Sequence, residues 1–245
     1  MSPKPTPFRI AIPIYKHVNL FDVTSACEMF YWMGYYWTKR PVIIDLVEAR
    51  GRVVKTHAGP KLTPDKSFAD YRGKGGKGLQ AQLIWVPGAS NETTQKMMGD
   101  ADYLRFLQEQ AEGAEYVTSV CEGAMLLANA GLLDGYEATT HWAMLPCLRS
   151  FKHVTVAEGF PRYIVDRNRI TGGGVSSGVD ESLRIIQIIC GDEGDEIATN
   201  VQVVTQYFPQ PPVQGQIPTG GKCDIKIPKP QPPAKSSSKS ATSKR

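Results

Sequence analysis

The chain has 245 residues, of which 41% are hydrophobic and 21% charged, enough to build a sizeable core. It has no apolar run near the roughly 20 residues that a membrane span needs, and residues 1–7 show no secretory signal, so we expect a cytoplasmic protein without membrane contact. The formal net charge is +4, but seven basic residues and one acid follow residue 219, which leaves −2 on residues 1–219 and argues against a domain that binds nucleic acid specifically.

Strand-like and helix-like segments alternate along residues 1–208. The predicted strands are residues 8–15, 41–49, 52–57, 82–86, 116–120, 154–156 and 163–165, with another at Ile170. The predicted helices are residues 21–36, 100–111, 122–130, 178–190 and 193–208. This order predicts an α/β three-layer sandwich with a mostly parallel central sheet and helices on both faces.

A second segment, residues 209–245, is rich in Pro, Lys and Ser. We predict that it is extended over residues 209–234 and disordered over 235–245. Its basic side chains are either simply solvated or contact an anionic partner. Residues 71–79 form a glycine-lysine segment that only superficially resembles a phosphate-binding loop, because no Ser or Thr follows its Gly-Lys pair.

The five cysteines are odd in number and widely spaced, which predicts neither a disulfide framework nor a zinc site and fits a reducing compartment. Cys27 and Cys190 lie in apolar helical patterns and are expected in the core. Nothing around Cys147 or Cys223 suggests chemistry.

Cys121 carries the strongest signal for chemistry. A β-branched strand runs into Cys121, Glu122 and Gly123, and an apolar helix follows. This order is typical of a nucleophile elbow, a sharp strand-to-helix turn that presents one side chain above the sheet. The N-terminus of the helix would favour the thiolate, which is the reactive form of cysteine. We therefore predict that Cys121 is a nucleophile rather than a core residue.

Two other strand ends could complete the site. The strand at 82–86 is followed by Pro87, Gly88 and Ala89, which would form either an oxyanion-binding loop or a plain tight turn. Asp22 follows the first strand between two apolar residues. It is either an ordinary carboxylate at a helix N-terminus or a partly desolvated group whose raised pKa suits acid–base chemistry.

Three further residues are possible pocket residues. The glycines at 172–174 indicate close approach of the backbone to a ligand or to a neighbouring element, and we include Gly173 with Thr140 and His141. None of the four histidines lies beyond residue 153, so a Cys–His–acid triad with a late histidine is not available. The alternative for His141 is a structural hydrogen bond.

Together these residues resemble the ThiJ/PfpI superfamily, which has the class I glutamine-amidotransferase-like (flavodoxin-like) fold, and within it the isocyanide (isonitrile) hydratases. The resemblance covers about residues 8–208. Four ordered blocks carry it: Leu20-Phe21-Asp22-Val23-Thr24, Val86-Pro87-Gly88, Val120-Cys121-Glu122-Gly123 through Thr139-Thr140-His141-Trp142, and Asp166-Arg167-Asn168-Arg169-Ile170-Thr171-Gly172-Gly173-Gly174.

The resemblance implies cofactor-free, metal-free hydration of a small-molecule isocyanide to an N-substituted formamide, with a homodimer as the assembly. It implies a thioimidate on Cys121, with Asp22 as general acid and base and with Gly88 and Glu122 around the substrate. Glu122 departs from the Thr that usually follows the cysteine in isocyanide hydratases. If it points inward, it should raise the pKa of the thiol.

Two alternatives remain open on the sequence. The same cysteine and carboxyl could serve a glyoxalase- or deglycase-like enzyme that acts on reactive carbonyls. The chain could also be a ligand-sensing domain related to the sensory half of AraC-type regulators, although no helix-turn-helix domain fits in the 37 residues after Phe208.

Overall fold

A seven-stranded sheet lies at the centre of the computed structural model, which describes residues 5–73, 78–218 and 221–228. The centre of the predicted glycine-lysine segment and the predicted disordered end therefore lie outside the described residues. The strands of the central sheet are β1 (Phe8–Pro13), β2 (Val42–Glu48), β5 (Lys66–Ser67), β6 (Leu83–Val86), β7 (Tyr116–Ser119), β10 (Tyr163–Asp166) and β11 (Arg169–Gly172). Two smaller sheets pair β3 (Val54–Lys55) with β4 (Lys61–Leu62) and β8 (Glu137–Ala138) with β9 (Thr155–Val156).

The strand order of the central sheet is β10-β11-β7-β6-β1-β2-β5. Every neighbouring pair is parallel except β10 with β11. The central strands β1 and β6 are almost wholly buried, as expected for parallel strands with helices on both faces. Ligands of such sheets bind beyond the carboxyl ends of the strands.

Helices cover both faces of the sheet, and they are α1 (Leu20–Tyr36), α2 (Phe68–Arg72), α3 (Asn91–Met98), α4 (Ala101–Ala111), α5 (Gly123–Asn129), α6 (Leu145–Leu148), α7 (Ser177–Cys190) and α8 (Gly194–Val204). Helices α1, α7 and α8 contact one another on one side, and α3, α4 and α5 contact one another on the other. The three-layer α/β sandwich predicted from the sequence is thereby confirmed. No helix among the described residues is long and apolar enough to cross a membrane.

The structure contains short elements that the hydrophobic pattern does not reveal. Helices α2 and α3 and strands β4, β5 and β8 were not predicted, because two-residue strands and helices of five to eight residues are too short to show a clear hydrophobic period. The last helix ends at Val204 rather than at Phe208, and Gln206 then takes a positive φ of 51°.

Cys147 and Cys223 form a disulfide bond, so the expectation of five free thiols, drawn from the odd number and wide spacing of the cysteines, was wrong for this pair. Cys147 is fully buried in α6, and residues 221–227 return to it from the tail. The bond joins residues 76 positions apart, a pairing that spacing alone cannot reveal. The remaining cysteines, Cys27, Cys121 and Cys190, are free.

A buried polar cluster ties β2 to its neighbours. The carboxylate of Asp45 pairs with the guanidinium of Arg9 on β1 and accepts a hydrogen bond of 2.9 Å from the hydroxyl of Tyr71 in α2. Asp45 is 4% exposed, so both partners depend on this one carboxylate.

Asp45→Ala should lower the free energy of unfolding by about 3–5 kcal/mol, because it leaves a partly buried guanidinium without its counter-charge. Glu115→Ala is the control, since Glu115 pairs with Arg40 at the surface and its loss should cost less than about 1 kcal/mol. Urea unfolding of both variants measures the difference, and equal effects would contradict this account of the cluster.

Candidate active site

The candidate site lies at the carboxyl ends of three neighbouring strands. Strands β7, β6 and β1 lie side by side in the sheet. Cys121 follows β7, Gly88 follows β6, and Asp22 lies in the first turn of α1, after the loop that leaves β1. Because parallel strands end at one edge of the sheet, the topology brings together three residues that are far apart in sequence.

The turn at Cys121 has the geometry of a nucleophile elbow. Cys121 adopts a φ of 58°, a left-handed conformation that costs about 1–3 kcal/mol in a residue other than glycine. Its N–H donates to the carbonyls of Gly172, at 3.2 Å, and Gly173, at 2.8 Å. Gly123 makes the turn possible, since a Cβ there would lie 2.0 Å from the carbonyl oxygen of Val86.

The Asp22 carboxyl points into the site from α1. Asp22 is fully buried, and its Oδ2 accepts a hydrogen bond of 2.8 Å from the N–H of Gly88. Its Oδ1 has no hydrogen-bond partner among the described residues. Burial raises the pKa of Asp22 to about 7, and the hydrogen bond from Gly88 opposes that rise. The carboxyl can therefore both accept and release a proton near neutral pH.

Asn19 connects the carboxyl to the cysteine. Its Nδ2 lies 3.4 Å from Oδ2 of Asp22 and 3.8 Å from Sγ of Cys121. Asn19 is the residue that precedes α1, and its N–H donates to the carbonyl of Gly88 at 2.9 Å. One amide group thus contacts the side chains of both Asp22 and Cys121.

Glu122 points inward. Its side chain is buried, and its Oε2 lies 2.6 Å from the position that a Cβ on Gly88 would occupy. The same Cβ would lie 2.8 Å from Cβ of Cys121 and 2.6 Å from the backbone nitrogen of Glu122. Only glycine fits at position 88, where the β6 loop presses against the elbow.

The thiol of Cys121 is protonated in this setting. Burial raises the pKa of Cys121 well above its usual value, and the charges of Asp22 and Glu122 and a hydrogen bond to the Glu122 side chain raise it further. The backbone N–H of Glu122 lowers it, but this effect is smaller than the others. The pKa of the thiol is therefore shifted upwards, whereas the N-terminus of the helix alone was expected to lower it and favour the thiolate.

Two further buried groups lie near the site. The hydroxyl of Tyr15 donates to the carbonyl of Pro87 at 2.8 Å, and the charges of Asp22, Glu122 and Cys121 add to the rise of its pKa that burial causes. Glu181 in α7 is fully buried, and neither of its carboxyl oxygens has a partner among the described residues. Burial raises the pKa of Glu181 well above its usual value, which favours the neutral acid.

The three possible pocket residues lie together. Thr140, His141 and Gly173 line a cleft of about 420 Å³. The hydroxyl of Thr140 donates to the carbonyl of Cys121 at 2.7 Å, so this cleft adjoins the elbow. The Nδ1 of His141 accepts from the N–H of Ala143 at 3.3 Å, which begins a 3₁₀ turn. Ala89 is buried beside the site in a bridge with Val18.

Sequence reasoning missed Tyr15, Asn19 and Glu181. Asn19 stands two residues before the predicted helix and three residues before Asp22, a spacing that could have identified it. Glu181 lies three residues after Gly178 and four before Ile185, on the buried face of α7. A carboxyl at this helical spacing breaks the apolar pattern, and that could have identified it from the sequence. Tyr15 gave no signal beyond ending an apolar run.

The chain is similar to known proteins in both sequence and fold. A model of the DJ-1/PfpI family matches residues 9–187. The chain is 34% identical to isonitrile hydratase of Pseudomonas putida over 165 residues, which are 67% of this chain and 66% of that protein. It is 36% identical to the HTH-type transcriptional regulator GbdR of Pseudomonas aeruginosa over 92 residues, which are 35% of this chain and 23% of the regulator. The matched parts thus fall just short of two thirds of the hydratase and cover about a quarter of the regulator.

Solved structures agree with the fold. A ThiJ/PfpI family protein from Pseudomonas syringae superposes with a TM-score of 0.72 at 30% identity and covers 86% of this chain and 79% of its own. DJ-1beta of Drosophila melanogaster has a TM-score of 0.68 at 17% identity and covers 82% of this chain and 98% of its own. An AraC family transcriptional regulator from Pseudomonas putida, at 17% identity and a TM-score of 0.64, covers 81% of this chain and 100% of its own and shares the fold.

Glu122→Gln should make Cys121 more reactive. The substitution keeps the size of the side chain but removes a charge that raises the pKa of the thiol. We expect alkylation of Cys121 by iodoacetamide near neutral pH to accelerate up to about tenfold, as for a fall of about one pKa unit. Mass spectrometry of the Cys121 peptide measures the rate, with Glu115→Gln as the surface control. An unchanged or slower rate would contradict the inward charge of Glu122.

Asp22 should make stability depend on pH. Because its pKa is raised from 3.8 to about 7, the folded chain keeps a proton that the unfolded chain releases over this range. Its contribution to stability is complete below about pH 4 and is lost as the pH rises to about 7, on the order of 4 kcal/mol in total. Asp22→Asn should lack this loss. Urea unfolding of both proteins across this range tests it, and identical pH dependence would refute the assignment.

Proposed function

We propose that this chain, which belongs to the DJ-1/PfpI family, hydrates isocyanides to N-substituted formamides, with Cys121 as nucleophile and Asp22 as acid and base. The observation that carries the proposal is a buried thiol that shares the amide of Asn19 with a carboxyl whose pKa is about 7. The 34% identity to isonitrile hydratase supports the choice of substrate.

In the first step the elements of the thiol add across the isocyanide carbon. Ionised Asp22 accepts the proton of Cys121 as Sγ forms a bond to the terminal carbon. Asp22 then delivers that proton to the same carbon, which gives a thioimidate with a C–H bond. A carboxyl with a pKa near 7 suits this transfer, because it takes up and releases the proton at similar cost. The raised pKa of the thiol keeps its proton available until substrate arrives.

In the second step water adds to the thioimidate carbon. Asp22 accepts a proton from the water as the C–O bond forms and passes it to the imine nitrogen. The tetrahedral intermediate then collapses as the C–S bond breaks, and Asp22 transfers the remaining hydroxyl proton to the leaving sulfur. The products are the N-substituted formamide and free Cys121, so the sum is one isocyanide plus one water.

The surrounding groups have distinct roles in this scheme. Asn19 and the N–H of Gly88 hold the Asp22 carboxyl in place. The backbone N–H of Glu122 lies at the sulfur and stabilises the leaving thiolate. The cleft beside Thr140, His141 and Gly173 receives the N-substituent. The homodimer implied by the resemblance stays a prediction.

Turnover of an aryl isocyanide should require both reactive side chains. The chain should form formamide with a kcat/KM that rises through about pH 7 as Asp22 ionises. Cys121→Ala should form none, and Asp22→Asn should lower kcat/KM by about 10²–10⁴ and remove the pH limb. Formamide is quantified by mass spectrometry.

Cys27→Ala is the matched control, because it removes a free thiol outside the site and should keep full activity. Absence of formamide with several isocyanides, from folded protein, would refute the proposal. Conversion of methylglyoxal to lactate by that protein would support the carbonyl alternative, and saturable ligand binding without turnover would support the sensory one.

A further inference from the structure

The C-terminal tail returns to the domain next to the site. Residues 209–218 and 221–228, the described part of the chain past Phe208, contain no helix or strand, yet Ile225 is 8% exposed and packs in the core. The N–H of Lys226 donates to Oε1 of Gln95 in α3 at 3.1 Å. Cys223 is bonded to Cys147 of α6. Residues 221–227 are thus held on the surface of the domain.

One tail residue lines the cleft that Thr140, His141 and Gly173 share. Ile217 faces the same cleft as Thr140 and Gly173, the two residues whose polar groups bind the backbone of Cys121. Phe21 and Phe160 also line this cleft and are about half exposed. Ile217 therefore forms part of its outer, apolar wall.

A second cleft extends the contact of the tail with the domain. It measures about 680 Å³ and shares Trp142 and Phe160 with the first. Pro218 and Lys222 of the tail line it, and so does Pro146, which neighbours Cys147. The disulfide therefore anchors the tail close to Ile217 and Pro218, which line the first and the second cleft.

The disulfide is the strongest of these anchors. One buried isoleucine and one backbone hydrogen bond contribute little against the conformational entropy lost when a Pro-rich tail is ordered. Ile217 and Cys223 are six positions apart, which is at most about 20 Å of chain. The covalent bond therefore limits how far Ile217 can move from α6.

We propose that the tail, secured by the Cys147–Cys223 disulfide, is the outer wall of the cleft and limits the size of the group that can reach Cys121. Under the proposed function, on which this inference rests for its substrate, that group is the N-substituent of the isocyanide. Opening the tether should admit bulkier substituents.

The test uses full-length protein and the rate of Cys121 alkylation by a small and a bulky reagent, iodoacetamide and N-phenylmaleimide. The double variant Cys147→Ser/Cys223→Ser should raise the ratio of the bulky to the small rate by about tenfold, the scale of steric discrimination in an apolar pocket. Mass spectrometry of the Cys121 peptide keeps the other thiols from contributing. Alkylation does not require turnover, so failure of the hydratase proposal would be seen separately.

Ile217→Ala keeps the disulfide and should raise the same ratio by less. Val213→Ala is its control, because Val213 is a 74% exposed tail residue that lines neither cleft. Unchanged ratios in both the double variant and Ile217→Ala would overturn the proposal. So would peptide mapping that finds Cys147 and Cys223 unlinked in protein treated with a thiol oxidant.

Discussion

The burial of the Cys121 thiol between two inward-pointing carboxyl groups is the interaction on which the site depends. Burial lowers the local dielectric there, so each charge acts more strongly on its neighbours than it would in water, and the pKa values of Cys121 and Asp22 both rise. The sheet makes this possible by bringing three strand ends together, and Gly88 makes it tight because no side chain fits above the elbow. The price of the arrangement is a left-handed cysteine and several buried oxygens without partners.

The raised pKa values favour a protonated Cys121 thiol next to a carboxyl that can take up its proton, rather than a thiolate that is already formed before substrate binds. A Cys–His pair would separate charge before the substrate arrives, whereas in the proposed mechanism the thiol and the carboxyl exchange a proton through the substrate. This arrangement suits a reaction in which the atom that sulfur attacks is also the atom that receives the proton. Glu122 adds a second negative charge beside the sulfur, which should slow unwanted alkylation of Cys121 while the backbone N–H of the same residue stabilises the leaving thiolate.

The sequence allowed prediction of features that are local in the chain. Residues 116–130 show a strand, a cysteine, a glycine and an apolar helix in order, and the elbow follows from that order. Other features depend on which strands and helices meet, and they cannot be read from a single sequence. They are the inward direction of Glu122, the contacts of the Asn19 amide with both Asp22 and Cys121, and the burial of Glu181 without a partner among the described residues. The Cys147–Cys223 bond is the clearest case, since the tail has a composition typical of a loose extension and its contact partner lies 76 residues away.

The most direct test of the account is acid-quench mass spectrometry of the Cys121 peptide during turnover of an aryl isocyanide. The account predicts a covalent adduct on Cys121 equal in mass to the isocyanide. The adduct should be present while substrate remains, should form more slowly in Asp22→Asn, where the proton transfer that accompanies C–S bond formation is lost, and should be absent from Cys121→Ser. Formamide production with Cys121 unmodified at every time point, in both the parent protein and Asp22→Asn, would contradict covalent catalysis by this residue.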